Sequence, residues 1–240
     1  MTPSSNPIER PRRFWTETSV VEAENGYAVA LDNRRVRTPA GRLLVMPTRS
    51  LAERVASEWA AQGEHVEIAG MHATRMAFTT SDHGSRARAG LVAEIARFAA
   101  TDLVCYFATA PASLVAMQER RWGALLNWAE ESLGLVFVRV RGINHAAQPD
   151  ATLARVEALA DGLDDFTLSG LAFGSALFGS AVIALALQRG YLNGEAAFDL
   201  GRLDEAFQES QWGVDEEAAT RAARLRAEAL MLERWFAALR

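Results

Sequence analysis

Hydrophobic positions change their period partway along this chain. Up to about residue 46 they fall in short runs: Ser19–Glu22, Tyr27–Leu31, Arg35–Arg37 and Arg42–Met46. Asn25-Gly26, Asp32-Asn33 and Pro39-Ala40-Gly41 separate the runs, and strands at this close spacing predict an antiparallel meander. Pro47-Thr48 then signals a helix start, with Leu51, Val55, Glu58, Trp59 and Gln62 following and Gly63 as the stop. His65–Ile68 is a candidate strand, and Met71–Asp82 matches neither period. Beyond it the spacing is helical. Helices are expected over Ser85–Ala100 (Leu91, Ile95, Phe98) and over Ala112–Leu133 (Leu114, Met117, Trp122, Leu125, Leu126, Trp128). Leu135–Val140 is a short β-like connector. Asp150 is placed to cap a helix running to Leu159, and Asn193 to cap one over Gly194–Gln211.

The last helix, Val214–Leu239, is amphipathic. Its apolar stripe is Val214, Ala218, Leu225, Ala229, Leu232, Phe236 and Leu239. Glu217/Arg221 and Arg224/Glu228 are opposite-charge pairs at i,i+4 on its solvent side. The expected fold class is therefore α+β. A small antiparallel β-rich N-terminal domain with one helix (14–82) precedes a larger all-helical C-terminal domain (83–240), behind a disordered leader at 1–13.

One stretch, Phe166–Gln188, carries no charge and is long enough for a transmembrane helix. Gly170 and Gly174 form GxxxG inside it, and Ser175/Gly179 repeats the small-xxx-small spacing. The same small residues suit a central buried helix that its neighbours approach closely. With Asp164-Asp165 and Arg189-Gly190 as flanks, no aromatic-plus-basic belt and no second span, the buried helix is the better reading.

Composition narrows the function classes. The 240 residues include 25 basic and 30 acidic side chains, a net charge of −5, which argues against a dedicated nucleic-acid binder. Every basic side chain apart from histidine is arginine. Without lysine, a P-loop, a pyridoxal-phosphate Schiff base and a protein-kinase ATP site cannot be built in their usual form. The single cysteine, Cys105, rules out an intrachain disulfide and fits a reducing compartment. No secretory signal pattern is present in the first residues.

A search for catalytic chemistry finds little. His65, His72, His83 and His145 do not pair at metal-ligand spacing, so no metal site is expected. Cys105 reads as a buried small hydrophobe rather than a nucleophile. No GxSxG elbow or GxGxxG loop is present. The acids after Trp212-Gly213 (Asp215, Glu216, Glu217) have two readings. They complement the dipole at the start of the last helix, or an exposed acid beside a Trp-Gly corner anchors an arginine of a partner.

Several motifs together carry a resemblance. In the first part they are Gly26-Tyr27-x-Val29-x-Leu31-Asp32, Val36-x-Thr38-Pro39, Leu44-x-x-Pro47-Thr48, Leu51-Ala52 and Glu58-Trp59-x-x-Gln62. Later come Thr101-Asp102-x-x-Cys105-Tyr106, Leu114-x-x-x-Gln118, Trp122 and Gln208-x-x-x-Trp212-Gly213-x-x-Glu216. In order and spacing, from about Phe14 to the C-terminus, the chain resembles the assembly chaperones that bind the alpha subunit of the F-type ATP synthase catalytic head. The resemblance implies a β-rich domain followed by a helical one and no enzymatic activity or cofactor. It implies a chaperone that masks the beta-facing surface of unassembled alpha subunit until beta replaces it. The family's essential acid matches Glu216, and the partner-binding candidates are Trp212, Gly213, Asp215 and Glu216. Family members often carry a His-Asp pair just beyond, where this chain has Ala219-Thr220, so no role of that histidine transfers. A monomer without membrane insertion is expected, acting in a bacterial cytoplasm (the mitochondrial matrix in a eukaryote). Two other readings are a small-molecule enzyme with an interdomain pocket and a membrane-associated factor using Phe166–Gln188.

Overall fold

The computed structural model describes residues 11–142 and 144–240, with backbone alone at 84 and 85. Most of the expected leader lies outside the described residues. The chain divides into two compact units, one ending at Asp82 and the other spanning His83–Ala238.

In the first unit, β1 (Thr18–Ala23), β2 (Gly26–Leu31) and β3 (Arg34–Arg35) form an antiparallel sheet in the order β1-β2-β3. Val20 faces Val29 across the first pair. Asn25 and Asp32 take the left-handed conformation at the two tight turns, with φ of 64° and 50°. The expected fourth strand, Arg42–Met46, makes only isolated bridges, Arg37↔Leu43 and Tyr27↔Met46. Its two ends bond to different neighbours, so no continuous ladder forms. The candidate strand at His65–Ile68 is likewise reduced to one bridge, Arg12↔His65, before a 3-10 turn over Ile68–Gly70. Helix α1 (Arg49–Ala60) starts at Thr48, whose hydroxyl accepts the Leu51 N–H at 3.2 Å. It buries Leu51, Ala52, Val55 and Ala56 and packs on β1 and β2.

The ambiguous Met71–Asp82 segment forms the first part of α2 (His72–Ala100). A tertiary contact supplies its cap. Glu58, on α1, accepts the Ala73 and Thr74 N–H groups at 2.9 and 2.8 Å and the Thr74 hydroxyl at 2.7 Å. Those donors would otherwise be orphaned at the helix start.

In the second unit, α3 (Ala112–Leu133) has the expected bounds, and Gly134 caps it in the left-handed conformation at φ 70°. The stretch expected to be a connector contributes β5 (Val140–Arg141), which pairs in parallel with β4 (Tyr106–Phe107). In α4 (Asp150–Asp161), Pro149 holds the cap position and Asp150 is the first helical residue rather than the cap. The uncharged stretch is two helices and not one, α5 (Asp165–Phe178) and α6 (Ala181–Gln188). Gly179 breaks it at φ 62°, a left-handed position favouring glycine, and the Ser180 hydroxyl restarts it by accepting the Ile183 N–H at 3.0 Å. Among the described residues no helix is long and apolar enough to cross a membrane.

The helix expected over Gly194–Gln211 is also two, α7 (Gly194–Gly201) and α8 (Leu203–Trp212), separated at Arg202. The Arg202 guanidinium pairs with Glu209 and lies 5.6 Å from the Phe198 ring centre, holding the break closed. The last helix is α9 (Glu216–Leu239). Its second half is core: Met231, Leu232, Trp235 and Phe236 are buried, and the Trp235 indole donates to the Phe166 carbonyl at 3.1 Å. The GxxxG glycines admit this helix. A Cβ on Gly170 would lie 2.9 Å from the Phe236 ring and from Trp235 Nε1, and one on Gly174 2.8 Å from Leu232.

Candidate functional site

Most motif residues behind the resemblance have internal work. Beside Glu58, the Gln62 amide donates to the Glu58 carbonyl at 3.0 Å and accepts the Glu67 N–H at 2.7 Å. Gln118 is fully buried, accepts the Ala108 N–H at 2.7 Å and donates to Asp204 Oδ1 at 2.7 Å. Trp122 is fully buried, and its indole donates to the Leu200 carbonyl at 3.0 Å. Asp102 is fully buried at the start of α6. Its Oδ1 accepts the Val104 N–H at 3.3 Å and its Oδ2 the Val182 N–H at 3.0 Å, with Ser180 and the Ala181 N–H also bonded. Burial outweighs these donors and pushes its carboxyl from the ordinary 3.8 to about 6. Cys105 is fully buried, and burial, reinforced by the Asp102 charge, pushes its thiol far up. It is therefore poorly suited to act as a nucleophile.

The last motif is different. From Asp204 to Glu228 no residue is buried, although α8 and the first half of α9 are both helical there. The two meet at Gly213, with φ 87° and ψ 174°, a backbone that side chains other than glycine's rarely adopt. The Gly213 N–H bonds the Glu209 carbonyl at 2.8 Å, closing α8. Asp215 opens α9: its Oδ1 accepts the Ala218 N–H at 2.7 Å. Asp215 is thus a helix cap, and Glu216 and Glu217 form the first turn, where the helix dipole favours negative charge.

At this corner the Trp212 side chain is 82% exposed and Val214 54% exposed. Two large apolar side chains are thus left uncovered by the rest of the chain at this corner. Glu216 and Glu217 are exposed and have no hydrogen-bond or ion-pair partner among the described residues. Of the two expected ion pairs on α9, Arg224–Glu228 forms at 3.2 Å and Glu217–Arg221 does not. Glu216, Glu217, Thr220, Arg221 and Arg224 line one open hollow on this face. The structure thus brings Trp212, Gly213, Asp215 and Glu216 to one corner, and adds Val214 and Arg221. Arg221 was hidden because its spacing from Glu217 satisfies the i,i+4 rule on paper.

No catalytic constellation stands beside this corner among the described residues. The His145 ring lies 3.2 Å from the Tyr106 hydroxyl. Among the described residues no group of three His, Cys, Asp or Glu side chains is placed to hold a metal ion.

Residues 12–130 match the model of the ATP12 chaperone protein family. The mitochondrial protein atp12 of Schizosaccharomyces pombe is 24% identical over 233 residues, 90% of this chain and 79% of the relative. The crystal structure of Atp12 from Paracoccus denitrificans superposes with a TM-score of 0.91 at 34% identity, covering 95% of this chain and 98% of the other. That of the Agrobacterium tumefaciens protein Atu1473 gives 0.90 at 36% identity, covering 96% and 87%. With relatives above 30% identity matched over nearly the whole chain in both sequence and fold, the placement is plain: the chain belongs to the ATP12 family, chaperones of ATP synthase assembly.

Proposed function

We propose that this chain binds the unassembled alpha subunit of ATP synthase and covers the surface that alpha later presents to beta. The observation that carries this reading is the bare Trp212 indole beside unpaired Glu216 at the Gly213 corner. An exposed tryptophan supplies a large rigid anchor, and binding energy concentrates at such anchors. Glu216, preorganised in the first turn of α9, offers a carboxylate to an arginine or lysine on the client. Apolar burial holds the client while a rim charge selects and steers it. Such a contact is reversible, which a holder that must yield to beta requires. In this reading the chain acts as a monomer in the bacterial cytoplasm, by binding and not by catalysis.

The test is binding of purified alpha subunit to the chain and to Trp212→Ala and Glu216→Ala. Both side chains lie outside the core, so Trp212→Ala should keep the wild-type melting temperature and Glu216→Ala should lose only the helix-start contribution of its charge, about 0.3–1 kcal/mol. Trp212→Ala should weaken binding by roughly thirtyfold or more, the level of an interface anchor, and Glu216→Ala by about tenfold. Unchanged affinity in both would move the client to another face.

A further inference from the structure

The exposed half of α9 carries charge of both signs in a fixed order. Glu216 and Glu217 open the helix, and Arg221 and Arg224 follow one to two turns later. These residues and Thr220 recur at spacings of three and four, so they share one face and line one hollow. That face lies across the helix from Ala218, Ala222 and Leu225, the half-buried positions that lead into the buried Ala229. Its four charges are not equivalent. Arg224 is paired with Glu228, whereas Glu216, Glu217 and Arg221 have no partner among the described residues. Glu217 and Arg221 stand at the spacing of a helical ion pair and do not form one. Both signs are therefore available to an incoming surface.

An acidic end alone would be explained by the helix dipole. The free cation beyond it has no such explanation, because at i+5 from Glu216 it gains nothing from the helix start. Resting on the proposal that the Gly213 corner docks the alpha subunit, we infer that Arg221 is a second specificity determinant of that contact. The client recognised is one presenting a basic side chain to Glu216 and, about a helical turn away, an acidic side chain to Arg221. The two signs fix orientation as well as identity. A client surface docked in reverse would set acid against acid and base against base, and such juxtapositions strongly disfavour wrong registers.

The experiment measures affinity for purified alpha subunit, at low and physiological salt, of the full chain and of Arg221→Glu, Arg221→Lys and Arg120→Glu. Arg120 is exposed on α3, has no partner among the described residues, and its reversal changes net charge equally. Arg221→Glu is expected to weaken binding at least about tenfold at low salt, with a smaller deficit at higher salt. Arg221→Lys should stay within about threefold of wild type, and Arg120→Glu should bind as wild type does. Circular dichroism melts check that each variant is folded. Wild-type binding with Arg221→Glu unchanged, with Arg120→Glu equally impaired, or with Arg221→Lys as damaged as Arg221→Glu overturns the role of Arg221 alone. Failure of the wild-type chain to bind alpha overturns the underlying docking proposal instead.

Discussion

Replacing Asp102 by asparagine tests the account of the second unit's interior most sharply. The shape is conserved and the hydrogen-bonding sense is not. Asp102 is fully buried, and both of its oxygens accept backbone N–H groups, from Val104 on one side and from Val182 at the start of α6 on the other. An asparagine has one oxygen. Its NH2 group must face a backbone N–H, leaving that donor and the amide without acceptors. Each unsatisfied buried group costs about 1–3 kcal/mol, so the loss from the two is about 2–6 kcal/mol. The pH dependence carries a sign. The folded-state carboxyl is raised from 3.8 to about 6, so the folded protein binds more protons than the unfolded chain between those values. The stabilisation is fully present below about pH 4 and is lost as pH rises through 6, a fall of about 3 kcal/mol from this group. The asparagine of the variant cannot titrate. Urea unfolding of both proteins from pH 4 to 7.5, followed by circular dichroism, should show the wild-type advantage shrinking as pH rises from about 4 to 6. Equal stabilities at every pH, or an advantage that grows over that window, would refute the reasoning.

Other perturbations probe separate contacts. Gly170→Ala should destabilise by about 1–2 kcal/mol in thermal or urea melts, because its Cβ would meet Phe236 and Trp235 at 2.9 Å. Gly90→Ala, inside α2 with open space around it, should stabilise by about 0.5–1 kcal/mol in the same assay. Glu58→Ala removes the acceptor for the Ala73 and Thr74 N–H groups and should cost about 2 kcal/mol, with hydrogen exchange at those two amides accelerated more than in α3.

What the sequence disclosed depended on range. The hairpin at Asn25-Gly26, the helix over Ala112–Leu133 and the order of a β-rich part before a helical one follow from period and turn chemistry within a few residues. The start of α2 was illegible because its cap comes from Glu58 on another helix. The breaks at Gly179 and Arg202 were read through, since apolar or helical spacing continues across them. What stops the helix is a left-handed glycine in one case and the non-helical backbone of Arg202 (φ −122°, ψ 22°), just after Gly201, in the other. Trp212, Gly213, Asp215 and Glu216 were visible as a motif, and their shared exposure was not, because tryptophan in a helix is ordinarily buried. The resemblance named the acid, and the structure shows that Asp215 caps α9 while Glu216 has no internal partner among the described residues. Arg221 escaped notice because a pair that satisfies a spacing rule need not form.

The central claim is that the exposed Gly213 corner keeps unassembled alpha subunit soluble. Its most direct test is co-expression of alpha with the wild-type chain and with the Trp212→Ala, Glu216→Ala double variant, scored by soluble alpha and by co-elution on size exclusion. The account predicts a soluble complex with the wild type that disperses when beta subunit is added, and aggregated alpha with a folded but non-binding variant. Alpha that stays insoluble beside the wild-type chain, or that co-elutes equally well with the double variant, would contradict it.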